Sequence, residues 1–195
     1  MNLTKTISAI AVAGMFAFAG APVTAAVCPE HSVAAVTGTS GCELGSTNND
    51  FLNPLQVNAD NMFGYNDWVF DAKDNDVDGV DEGDDLLDLL LVGTQLGGAW
   101  SINPNAPSLY EHVMLVFKGG AGNTDPDKYV GYLLNETSGE YASPFINPNN
   151  ENRKNISHVS VYVRGIQVEI IPIPAAGFLL IGGLGGLMAL RRRKS

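Results

Sequence analysis

Short segments of alternating apolar and polar residues dominate the middle of the chain. The clearest is Ser157-His158-Val159-Ser160-Val161-Tyr162-Val163-Arg164. Val159, Val161 and Val163 share one face while His158, Ser160, Tyr162 and Arg164 share the other, the period of two expected of a half-buried strand. Further strands are expected over residues 67–71, 86–92, 112–118 and 129–134, each bounded by Gly, Pro or Asn clusters. Residues 43–66 are rich in Asn, Gly, Ser and Asp, with isolated apolar residues such as Phe51, Leu55 and Phe63, and read as loops and short strands. Several strands without an amphipathic helix imply a mainly β body, an antiparallel β-sandwich. Trp68 and Trp100 are assigned to its core in preference to stacking on sugar rings, the other use open to them and to Tyr110.

The two ends follow a different pattern. Lys5 precedes an apolar run from Ile7 to Ala19, followed by Gly20, Ala21, Pro22 and the small residues Val23-Thr24-Ala25-Ala26. A charged start, a short apolar stretch and small residues at a cleavable position describe a secretory signal peptide over residues 1–26. The run is too short for a comfortable membrane span. The mature body, residues 27–168, is then expected outside the cytoplasm. Cys28 and Cys42 are the only cysteines and lie just beyond the cleavage point in an oxidising context, so a single disulfide is expected. Closing that loop contributes roughly 3 kcal/mol on the chain-entropy account.

At the other end, residues 175–190 are free of charge and close on Arg191-Arg192-Arg193-Lys194. With the residues just before them they are long enough to span a bilayer, and the basic cluster places Ser195 on the cytoplasmic side. Ile171-Pro172-Ile173-Pro174-Ala175, followed by this glycine- and leucine-rich helix and the arginine cluster, resembles the VPLPA-CTERM variant of the PEP-CTERM sorting signal. The resemblance covers residues 169–195. It implies a bacterial exported protein whose tail is recognised in the inner membrane by an exosortase, a membrane protease that removes the helix. Two prolines one residue apart hold an extended segment without backbone donors, a shape suited to a protease groove. More loosely, His112 to Gly165 is similar to the small β-sandwich ectodomains that often accompany such tails. That likeness implies fold and export, not activity.

Charge narrows the possible partners. Residues 27–171 hold all 21 acids and six bases, leaving −15, which repels nucleic-acid phosphates and disfavours DNA or RNA as a partner. A metal cation or a neutral sugar remains compatible with it. Ten of the acids fall between Asp67 and Asp88 with one base, Lys73. Against the twelve-residue calcium-loop template over 74–85, Asp74, Asp76 and Asp78 take positions 1, 3 and 5, Gly79 the turn, Val80 a carbonyl position, Glu82 position 9 and Asp85 position 12. Alternate carboxylates converging on a hard cation would neutralise the repulsion. Two departures are visible, Asp in place of Glu at position 12 and Asp81 where an apolar residue is usual. With no flanking helices, a lone Asp-rich calcium loop between β elements is expected rather than a paired EF-hand.

Nothing in the sequence spells out an enzyme. There is no Gly-x-Ser-x-Gly, phosphate loop, His-Glu-x-x-His or dinucleotide fingerprint, and His31, His112 and His158 are scattered. The reading is a non-enzymatic exported protein of the cell surface or extracellular matrix, transiently anchored in the inner membrane, with calcium as its cofactor. An exopolysaccharide-binding module is the alternative. A secreted hydrolase is less favoured, because it requires a carboxylate pair assembled in space.

Overall fold

The computed structural model describes residues 26–51, 55–120, 122 and 124–166. The signal peptide (but for Ala26), the sorting motif Ile171 to Ala175, the apolar stretch and Arg191 to Lys194 therefore lie outside the described residues. No helix among the described residues is long and apolar enough to cross a membrane.

The body is mainly β, with two antiparallel sheets. The larger is ordered β1-β2-β8-β7-β10-β3-β4: Ala26–Val27, Thr39–Leu44, Val130–Leu134, Tyr110–Gly119, Ile156–Ile166, Val69–Asn75 and Val80–Gly83. The smaller is β5-β6-β9: Leu90–Thr94, Gly97–Ser101 and Ser138–Ala142. Helices are single turns, α1 (Glu30–Val33), α2 (Gln56–Ala59) and α3 (Ala106–Leu109). Strands form at all five segments named above, but β3 and β5 are shifted toward the C-terminal end of the expected stretches 67–71 and 86–92. In residues 86–92 only the end becomes β5, because a turn closed by Asp88 N on the Asp85 carbonyl precedes it.

One apolar cluster joins the sheets. Rows of facing side chains cross the large sheet: Val161 opposes Leu115, which opposes Tyr132, and Val159 opposes Phe117, which opposes Val130. Leu91, Trp100 and Tyr141 of the small sheet enter the same cluster. Trp100 is fully buried there, its indole N–H donating to the Thr37 carbonyl at 3.1 Å, so it is a core residue, unavailable to a sugar. Each fully buried large side chain of this set contributes about 1.5–3 kcal/mol relative to exposure. The expected disulfide is present: Cys28 and Cys42 are joined with Cα atoms 5.8 Å apart, tying the segment bearing α1 to β2.

The half-buried strand is corrected. The second face of β10 is buried too: Tyr162 and Ser160 are inaccessible and His158 nearly so. Residues 55–68 lie over it and form a second cluster of Val57, Met62, Trp68, Met114, Val116, Tyr129 and Tyr162. Gly131 makes this possible, since a Cβ there would stand 2.6 Å from the Met62 methyl. A polar face is therefore covered by a layer read from sequence as loops and short strands. Its phenols and His158 are met internally, by Asp50 and Asp60, while the buried Ser160 Oγ makes no hydrogen bond among the described residues. Asp60 accepts from Ser46 N at 2.7 Å, Ser46 Oγ at 2.6 Å, Gln56 Nε2 at 2.7 Å and Tyr129 Oη at 2.6 Å. Asp50 accepts from Tyr162 Oη at 2.8 Å and lies 2.7 Å from His158 Nε2.

Candidate cation site in the acidic hairpin

β3 and β4 form a hairpin closed by residues 76–79. Lys73 opposes Glu82 and Asp74 opposes Val80. The tip needs left-handed backbone: Asp76 has φ 61°, Val77 φ 62° and Gly79 φ 129°. Asp and Gly tolerate such angles, whereas Val77, β-branched, is strained there. The compensating bonds come from Asp74. Its Oδ1 accepts from Asp78 N at 3.1 Å and from Gly79 N at 3.3 Å, satisfying turn amides that the ladder leaves unpaired. Asp81 Oδ2 accepts from Asn75 N at 2.7 Å across the hairpin.

These bonds gather three carboxylates. Asp74, Asp78 and Asp81 each offer an oxygen within 4.8 Å of the others, Asp74 buried and the other two exposed. Burial pushes the Asp74 carboxyl above its ordinary range and the charges of Asp78 and Asp81 add to the rise, against the lowering by the two amides. Three oxygens this close, with one open side, can hold a metal ion. Oxygen-only donors suit a hard cation, and nothing in the arrangement specifies calcium over another.

The geometry departs from the twelve-residue template. Asp76 turns away to accept from Gln95 Nε2 at 2.5 Å. Glu82 pairs with Lys73, and Val80 packs its side chain against the core. Asp85 Oδ1 accepts from Leu89 N at 2.8 Å in the next turn. Of the six expected ligands the structure assembles Asp74 and Asp78, and adds Asp81. A calcium loop of that template is wrapped by helices, whereas here strand pairing sends alternate residues to opposite faces and occupies Glu82 across the ladder. Asp81 was visible in the sequence as the misfit at position 8. It becomes a ligand candidate once the segment is read as a hairpin.

A neighbouring carboxylate has a structural role. Asp71 occupies a bulge in β3, where Val161 and Tyr162 face Ala72 and Phe70 and leave Asp71 unpaired in register. Its carboxylate accepts from Leu86 N and Leu87 N, both at 3.1 Å. Burial raises its pKa, with Asp85 and Asp84 adding to the rise against those two amides. It ties the turn between the sheets to β3. Gly83 (φ 105°) is required beside it, since a Cβ would meet the Asp71 carbonyl at 2.1 Å.

The histidines do not form one cluster. His31 Nε2 lies 3.2 Å from the Asp125 carbonyl, His112 stacks on Tyr65 with its Nε2 3.0 Å from the phenol oxygen, and His158 is buried on Asp50. Glu111 and Glu136 line one small recess beside α3, but Arg164 already engages Glu111 at 3.0 Å and Asp67 at 2.8 Å.

Compared with known proteins, the chain matches no family model, no curated protein and no solved structure.

Proposed function

We propose that this chain is an exported, non-enzymatic protein of the cell surface or extracellular matrix whose β body is tightened by a divalent cation, calcium being the abundant hard cation outside cells. The observation that carries the reading is the convergence of Asp74, Asp78 and Asp81 on one point of a hairpin tip held together by Asp74. The disulfide supports an oxidising compartment. Sorting by an exosortase-type protease in the inner membrane rests on Ile171 to Ala175 and Arg191 to Lys194. Extracellular sites with few charged ligands bind on the order of 10⁻⁴ to 10⁻³ M, so occupancy would follow the external calcium concentration.

Two measurements test the two halves. Titration calorimetry of the full chain in detergent with CaCl2 should give a saturable heat that Asp78→Asn abolishes, and a flat titration sinks the cation half. Intact mass of the protein from its native host should show a species beginning near Val27 and ending between Pro172 and Ala175. A species that keeps Arg191 to Lys194 would make this a permanently tail-anchored protein and end the exosortase reading. An exopolysaccharide-binding role is the second reading, favoured by a separate pocket.

A further inference from the structure

The acids of the body outnumber its bases by 21 to six, so each base is expected to have a carboxylate beside it. Lys73 and Arg164 do, pairing with Glu82 and with Asp67 and Glu111. Lys118, Lys128, Lys154 and Arg153 do not: among the described residues no carboxylate lies within 4.0 Å of any of them. Arg153 donates to the Ser143 carbonyl and lines a recess elsewhere, whereas the three lysines gather. Lys118 and Lys128 line one open pocket of about 180 Å³, and the Lys154 ammonium stands 3.7 Å from where a Cβ on Gly122, in the same wall, would be. The ammonium groups of Lys118 and Lys128 donate only to backbone carbonyls, of Gly119 and Ser46, which leaves donors and full charge for a ligand.

Thr124 and Asn48 add a hydroxyl and an amide to the wall, and Gly120 and Gly122 carry no side chain into it. The wall has one carboxylate, Asp127, which pairs with neither lysine.

We propose that this pocket binds the oxyanion of an acidic saccharide, a carboxylate-bearing sugar unit held by Lys118, Lys128 and Lys154 with its hydroxyls on Thr124 and Asn48. Three lysines without carboxylate partners, set in an acidic body, favour an anion at this pocket over the acidic surface around it, which confers position and selectivity. Ammonium groups, as point charges, suit a carboxylate presented at variable angles along a polymer. The inference deepens the exopolysaccharide reading and is independent of sorting and of the cation hairpin.

The test is calorimetry of the full chain in nonionic detergent at low salt, against oligogalacturonate, neutral maltohexaose and inorganic phosphate. Oligogalacturonate should bind, weaken as salt rises, and lose roughly tenfold or more in affinity in Lys118→Gln/Lys128→Gln. An unchanged melting temperature of the double variant shows that it is folded. Binding of phosphate without oligogalacturonate overturns the saccharide assignment. Equal binding of maltohexaose and oligogalacturonate, unaffected by the double variant, keeps a saccharide-binding role and removes this pocket from it. No binding of any probe overturns both.

Discussion

Two sets of aspartates in this molecule are equally shielded from solvent and opposite in their electrostatics. Asp50 and Asp60, between the large sheet and the layer 55–68, are surrounded by donors. For Asp50, burial alone would raise the pKa, but the hydrogen bond and charge of His158, with the Tyr162 hydroxyl, more than offset it and hold it below the ordinary value of 3.8. Asp60 is likewise lowered, Ser46, Tyr129 and Gln56 outweighing burial. Asp74 has two backbone amides as donors and two further carboxylates for neighbours, and its pKa is raised. Burial is common to both sets; the partners decide the sign. The first set is complete as it stands, and its ionised form stabilises the fold. The second lacks a positive charge, which a cation can supply.

The largest effect should come from the complete network. Asp50→Ala leaves His158 and the Tyr162 hydroxyl buried without their acceptor, and should cost about 3–5 kcal/mol in chemical unfolding. If Asp50→Ala unfolds like the unaltered chain, the network is not a stabilising unit and the contrast collapses.

A smaller effect belongs to the hairpin. With 10 mM calcium and dissociation constants on the order of 10⁻⁴ to 10⁻³ M, the cation should add about 1.4–2.7 kcal/mol, lost on chelation. Differential scanning calorimetry with and without EDTA reads it directly. Asp78→Asn should remove the calcium increment and, in EDTA, leave stability equal or slightly higher, because one of three repelling charges is gone. A decrease in EDTA would mean that Asp78 already has a stabilising partner, contrary to the comparison.

The subtlest consequence is the opposite dependence on pH. A depressed folded value, as for Asp50 and Asp60, gives a contribution present above 3.8 and lost as pH falls through that depressed value. A raised one, as for Asp74, gives a contribution present below 3.8 and lost as pH rises through the raised value. Carboxyl ¹³C NMR in chelator should show Asp74 titrating above 3.8 and the other two below it. Added calcium should move Asp74 downward and leave Asp50 in place. A common inflection for all three would erase the distinction.

Period-two alternation was enough to place β10 and to put Val159, Val161 and Val163 on the side that meets the small sheet. It misled for the opposite face, because Tyr162 and His158 look solvent-facing until their partner is known. That partner is Asp50, 108 residues earlier in the chain, and no local pattern announces it. The hairpin was legible in composition and not in ligand set. Clustered aspartates and Gly79 marked the place, whereas the choice of Asp81 over Asp76, Glu82 and Asp85 follows from the strand register. The lysine pocket had no sequence signal, since its lysines sit 10 and 26 residues apart and converge only through the packing of the end of β7 against the loops before β8 and β10.

By itself the sequence determined what depends on neighbours along the chain: strand periodicity, the acidic character of one turn, the paired cysteines and the expectation of export in the two apolar ends. Only the tertiary structure decided which polar groups are satisfied. A carboxylate's energy depends on donors and charges within a few ångströms, and those arrive from distant strands. Hence Asp50, unremarkable in the one-dimensional chain, and Asp74, marked there only as one of a cluster, end with opposite pKa shifts and opposite parts in the stability of the fold.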